Sequence, residues 1–208
     1  MRLRSPLRSI LLCAGLMPGL LAADGPSLAT PLVWKPTSKL LDSTGTLNLT
    51  PFTDKKIVFL PITDTRKDKT VIGENREKAQ VRYVTTSDDV PTYLTKQMVD
   101  QMLGVGLPIV DKPTAGSLVV SSELVRFSVI ETGTYQGELR LIVQVKAGDK
   151  VVWRGMVSGK ATRFGRSYKL ENYHEVLSDT VMDVLTRLLS DEVFMSVLAG
   201  KARVVAVP

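Results

Sequence analysis

The order of apolar patterns along this sequence predicts an α+β domain. It is a two-layer sandwich, in which a mostly antiparallel, curved sheet with a three-strand meander is covered on one face by two helices. Three observations predict it. Three long segments between 117 and 163 alternate apolar and polar residues with a period of two. Two others, 87–106 and 171–200, place apolar residues on one helical stripe. A short β-branched run, "KIVFLPIT", precedes them all. One-sided strands and one-sided helices bury their apolar faces against each other.

Taken in order, the first residues, "MRLRSPLRSILLCAGLMPGLLAADG", have the parts of a secretory signal over 1–23. Arg2, Arg4 and Arg8 are its positive region. Ser9 to Leu21 supply an apolar stretch of about a dozen residues, too short to cross ~30 Å of hydrocarbon as a helix. Ala22 and Ala23 offer small side chains for cleavage before Asp24. Cys13, the one cysteine of the chain, lies inside this segment. Leu12 stands where a lipidation signal needs a small residue, so the sequence argues against lipidation at Cys13. Cleavage after Ala23 leaves a thiol-free chain, which excludes disulfides, cysteine nucleophiles and thiolate metal sites. It also removes three arginines and halves the formal net charge of +6, which weakens any case for nucleic-acid binding. About 185 residues remain, enough for one core without staples. No later run is long enough to span a membrane.

Residues 24–45 are rich in Pro, Ser, Thr and Gly and read as an extended leader, with a short strand expected at Thr46 to Leu49. The domain proper is expected over 46–200, followed by a tail at 201–208. Ile57 to Ile62 read as a strand buried on both faces. The stretch "TDTRKDKTVIGENR" then reads as a solvent-facing turn, fixed by Asp64 paired with Arg66 and released at Gly73. "QVRYVTT" reads as a strand with Val81, Tyr83 and Thr85 on its apolar side.

Ser87, Asp88 or Asp89 can cap the helix of 87–106, with Pro91 in its first turn and Gly104 or Gly106 at its end. "LPIV" is a candidate short strand. In the meander, Val119, Ser121, Glu123, Val125, Phe127 and Val129 are expected on one side of the first strand. Leu139, Leu141, Val143 and Val145 are expected on one side of the second, and Gly148-Asp149 makes the hairpin to the third. Asn172 with Glu175 resembles a capping box for the last helix, whose stripe is Leu177, Val181, Val184, Leu185 and Leu188. Ser190-Asp191 bends or restarts it, and Gly200 stops it.

No catalytic constellation emerges. The loop after the buried strand has a single glycine and no lysine-Ser/Thr pair, so it fails as a phosphate cradle. Asp64 and Asp68 supply too few oxygens for calcium. His174 is the one histidine and has no identifiable triad partners. Asp88 and Asp89 read as caps, Glu123 and Glu138 as the polar side of the sheet, and no GxSxG occurs. "KATRFGRSYKLEN" interleaves Lys160, Arg163, Arg166 and Lys169 with Phe164 and Tyr168, a composition suited to an anionic surface.

"VFLPITDTRKDKTVIGENR" resembles the strand, Asp-x-Arg and Ile-Gly opening of the YajG-like family of envelope lipoproteins, with matches at Asp64, Arg66, Ile72 and Gly73. "GELRLIVQVKAGDKVVWRGMVSGKA" and "NYHEVLSDTVMDVLTRLLSDEVF" are similar to that family's last strands and terminal helix. The resemblance covers roughly 47–198. It implies placement in a Gram-negative envelope and carries over no catalytic residues. That family begins with a lipidated cysteine, whereas the neighbours of Cys13 favour a freely soluble periplasmic form.

The resulting expectation is a non-enzymatic periplasmic accessory protein, without cofactor or metal, that binds an envelope protein or anionic envelope component. Candidate contact residues are Asp64, Arg66, Arg163, Arg166, Tyr168 and Lys169. The alternatives are a periplasmic lipid- or glycan-binding protein and an outer-membrane-anchored lipoprotein of the same fold. Oligomeric state is not specified by these patterns.

Overall fold

The computed structural model describes residues 27–40, 42, 45 and 47–201. The signal segment with Cys13 and the tail from 202 onward therefore lie outside the described residues. In chain order the elements are β1 (Leu28–Ala29), a 3-10 turn (Thr50–Phe52), β2 (Ile57–Phe59), β3 (Thr63–Asp64), β4 (Val71–Asn75), β5 (Arg82–Thr85), α1 (Val90–Gly104), β6 (Leu118–Glu131), β7 (Tyr135–Ala147), β8 (Lys150–Arg163), α2 (Leu170–Ser190) and α3 (Glu192–Leu198).

The α+β reading holds, and the sheet is open and mixed. β6, β7 and β8 form the expected antiparallel meander. Gly148 turns the β7–β8 hairpin at φ +59, a conformation open to glycine without steric cost. The other side of β6 holds three short parallel strands end to end: β2 against Leu118–Val120, β3 against Glu123–Leu124 and β4 against Val129–Glu131. β5 pairs antiparallel with β4, and β1 pairs parallel with β5. The apolar run at 57–62 thus ends as a three-residue strand, because the chain steps along β6 rather than continuing straight.

Several sequence expectations are corrected here. The turn "released at Gly73" is strand β4: Ile72 is fully buried, and Gly73 is paired on both sides. A Cβ at Gly73 would stand 3.0 Å from the Tyr173 ring and from the Val129 carbonyl, so any larger residue would have to push one of them back. In β5, Val84 is buried and Tyr83 exposed, the reverse of the expected parity. In β6 the register shifts between Leu124 and Arg126. This bulge at Val125 inverts the alternation, so Leu118, Val120, Ser122 and Leu124 face inward before it, and Phe127, Val129 and Glu131 after it. Among the described residues, Leu47 to Leu49 form no strand, and "LPIV" contributes only a bridge between Ile109 and Ile57.

The helices lie on one face of the sheet. Asp89 is the α1 N-cap, accepting from Thr92 N at 2.7 Å. Along α2, Tyr173, Val176, Leu177, Val181, Val184, Leu185 and Leu188 are buried against β7 and β8. Two glycines let its backbone come close: a Cβ at Gly159 would strike Thr180 O and stand 2.7 Å from Val184 N. A Cβ at Gly137 would strike the Val176 and Thr180 side chains. Asp191 ends α2 and restarts the chain, its Oδ1 accepting from Val193 N and Phe194 N at 2.9 Å. Phe194 then packs edge-on against Trp153, ring centroids 5.0 Å apart.

The extended leader is docked on the fold from residue 28 onward. After pairing with β5 it runs along α2, where Lys35 N donates to Ser178 Oγ at 2.9 Å. Thr37 N and Oγ1 each donate to the Asp179 carboxylate at 2.7 Å.

Candidate partner-contact loop

Residues 164–169 connect β8 to α2, and their backbone is fixed from below by a buried polar platform. At the end of β6 the inverted parity turns Glu131 inward, where it is fully buried. Its carboxylate accepts from Tyr173 Oη at 2.6 Å and from Tyr168 N at 2.7 Å. Tyr135 donates to the Arg166 carbonyl at 2.5 Å and accepts from Lys169 N at 3.0 Å. Its ring stands perpendicular to that of Tyr173, centroids 5.0 Å apart. Asn172 Nδ2 adds a bond to the Arg166 carbonyl at 3.3 Å. The capping box expected at Asn172 and Glu175 does not form: Lys169 is the α2 N-cap, and Asn172 is buried inside the first turn.

These bonds hold Tyr168 at φ +59, the one described non-glycine residue with positive φ. Such a conformation persists where surrounding contacts over-determine it. The Arg82 guanidinium lies 5.5 Å from the centre of the Tyr168 ring. Ser167 donates to Glu77, whose other oxygen accepts from Gly133 N at 3.2 Å, tying three loops together. Burial pushes the Tyr135 and Tyr168 hydroxyls above the ordinary phenol range. Tyr173 is driven higher still, by burial first and then by its bond to Glu131.

The loop's charges separate into two groups. Arg163 pairs with Glu175 at 2.5 Å, and Lys169 with Glu171 at 2.7 Å. Lys35 of the leader joins both glutamates, reaching Glu175 at 3.0 Å. Lys169 and Lys35 hold the Glu171 carboxyl down to about 2. Arg166, by contrast, makes no ion pair among the described residues, and Phe164, two positions before it, is 81% exposed. The loop thus presents an aromatic ring and a guanidinium outside these ion pairs, while Arg163, Tyr168 and Lys169 hold its shape.

The other predicted pair, Asp64 and Arg66, is spent internally. Arg66 grips both Asp64 oxygens and donates to the carbonyls of Lys69 and Val71. Their side chains are only 10% and 7% exposed. Burial raises the Asp64 carboxyl, but the bonds from Arg66 outweigh it and hold the group below its ordinary value. His174 contacts Thr30 Oγ1 at 2.9 Å under the leader, and burial lowers its pKa. Among the described residues no cluster of His, Cys, Asp or Glu converges as a metal site, and no helix is long and apolar enough to cross a membrane.

Sequence reasoning missed the platform itself. Glu131, Tyr135 and Tyr173 are spread over more than forty positions, and although Glu131 shares the parity of Phe127 and Val129, a carboxylate at a strand end carries no local sign of burial. Tyr173, four positions past a basic loop, was the available signal.

Fold and loop together define a class: an α+β scaffold with a mixed sheet, helices on one face and a rigid basic-aromatic loop. No protein-family model matches the sequence, and comparison with curated proteins finds no match. Comparison with solved structures does find matches. Protein XCC0632 from Xanthomonas campestris, of the family DUF330, aligns with TM-score 0.51 and 11% identity over 86% of this chain and 95% of that one. A minor lipoprotein from Acinetobacter baumannii aligns with TM-score 0.42 and 8% identity over 71% and 94%. The lipoprotein GNA1162 from Neisseria meningitidis aligns with TM-score 0.36 and 7% identity over 56% and 89%. At these identities the likeness with XCC0632 speaks for the fold.

Proposed function

We infer that this chain is a non-enzymatic accessory protein of the bacterial cell envelope, exported by the 1–23 signal to the periplasm. It acts by contact with an envelope protein or an anionic envelope component. The observation that carries this reading is the 164–169 loop: Phe164, 81% exposed, and Arg166, which makes no ion pair among the described residues, stand two positions apart on a backbone locked by Tyr135, Asn172 and Glu131. Aromatic and arginine side chains on rigid supports are what binding hot spots are made of. Arg163, Tyr168 and Lys169 position this tip, and Asp64 with Arg66 sets the shape of a separate loop.

The test is a photo-crosslinking residue at position 164 in the native host, followed by capture from the envelope fraction. An envelope component should be recovered and then lost on Arg166→Glu. Capture that is unchanged by Arg166→Glu, or no capture at all, refutes the loop as the contact.

A second reading, binding of a lipid or glycan, is favoured by the groove of about 450 Å³ between β2 and α1, walled by Phe59, Pro61, Val99, Ile109 and Val110. A ligand selective for the folded state raises the melting temperature. A lipid that does so, with the shift abolished by Val99→Glu, would decide for this reading.

A further inference from the structure

The face of the sheet opposite the helices carries Arg126, Arg140, Lys146, Arg154 and Lys160 against Glu74, Glu123 and Glu138. The Val125 bulge sets Arg126 directly across the ladder from Arg140. Like charges placed so are unfavourable unless something neutralises them. Glu138 does so in part, accepting from Arg140 Nη2 and lying 3.0 Å from Arg126 Nε as an ion pair, while that Nε donates to Ser128 Oγ at 3.1 Å. One carboxylate thus serves two guanidiniums, and Lys160 stands opposite it in the next strand.

Beside this pair, a cavity of about 360 Å³ lies between the 66–71 loop and the bulge, lined by Arg66, Val71, Val125, Arg126, Ser128 and Arg140. Residues that line it hold unspent donors. Arg140 Nε is buried without an acceptor. Arg66 commits four of its five N–H groups to Asp64, Lys69 and Val71. The one carboxylate among its lining residues, Asp68, uses Oδ1 to accept from Thr70 N, Thr70 Oγ1 and Val71 N.

We propose that this cavity is an oxyanion site that takes a phosphate group, with Arg126 and Arg140 as its two forks and Glu138 as the internal carboxylate that the phosphate displaces. A tetrahedral phosphate can accept from both guanidinium planes and the Ser128 hydroxyl together, whereas a carboxylate only repeats what Glu138 already supplies. The same chemistry belongs to free phosphate and to a lipid headgroup. This site is independent of the 164–169 loop.

The test uses the full chain, titrated with inorganic phosphate and glycerol 3-phosphate. Parallel vesicle binding compares phosphatidylcholine alone with phosphatidylcholine containing phosphatidic acid. Arg126→Ala and Arg140→Ala should each weaken binding at least tenfold, and Arg140→Lys should lose most of it because the fork is gone. Glu138→Gln should strengthen binding severalfold and enlarge the phosphate-dependent rise in melting temperature, since it removes the competitor. Arg126 and Arg140 are surface side chains, and the melting temperature of each variant without phosphate checks its fold. Binding of the soluble probes alone assigns a free phosphate, and binding of phosphatidic acid vesicles alone assigns a headgroup. No binding by the wild type and Glu138→Gln in either arm overturns the proposal. So does binding that survives both alanine variants, or weaker binding by Glu138→Gln.

Discussion

Tyr173→Phe isolates the bond on which the candidate loop rests. The substitution removes one hydroxyl oxygen and leaves the ring, so packing against Tyr135 is kept. It takes from fully buried Glu131 the donor at 2.6 Å and leaves it the Tyr168 amide at 2.7 Å. A hydrogen bond to a charged group contributes ~1.5–3 kcal/mol, and the deprived carboxylate has no water to turn to. For a domain of this size each kcal/mol moves the melting temperature by ~2–4 °C, so a fall of ~3–12 °C is expected. Urea titration should show a lower midpoint with unchanged slope. Because Glu131 also anchors Tyr168 N, the loop should open more often, and trypsin should cut after Arg166 or Lys169 roughly tenfold faster or more. A variant within ~0.5 kcal/mol of wild type, cut at the wild-type rate, would refute the claim that this bond holds the loop.

Gly159→Ala drives a methyl into the α2 backbone at Thr180 O and Val184 N, so calorimetry should show a loss of ~2–3 kcal/mol or more, whereas Gly155→Ala meets only the movable Trp153 ring and should cost far less. Arg66→Ala strips the nearly buried Asp64 carboxylate of its forked partner and leaves it, as ion-pair partner, only the exposed Lys69 ammonium at 3.4 Å, and urea unfolding should register a loss of ~3 kcal/mol. His174 titrates below its ordinary 6.5 because burial disfavours its charged form. The unfolded chain therefore binds the extra proton first: stability is full above about pH 6.5 and falls as the pH drops below it. His174→Gln should flatten that part of the stability–pH curve, read by thermal unfolding across pH 5 to 8.

The periodicities of the meander and helices were enough to announce an α+β layer structure, because a side chain's face follows from its own spacing in strand or helix. Leu139, Leu141, Val143 and Val145 are buried as their alternation requires, and Asp89 caps α1 as a turn residue before Pro91 should. The Asp64–Arg66 pair was equally legible, being two positions apart. Local chemistry of this kind is written in the local chain.

What only the tertiary structure decided depends on residues far apart meeting. One extra residue at Val125 inverted the faces of β6, and no periodicity read by eye marks such a bulge. β4 was hidden because its burial comes from β5, β6 and Tyr173, not from its own mixed sequence. Glu131 with Tyr168 and Tyr173, and Arg126 with Arg140, became sites through strand register and helix docking. The sequence by itself determined which segments could be strands and helices. Their pairing, and with it every candidate site, was settled by the long-range packing that set the register.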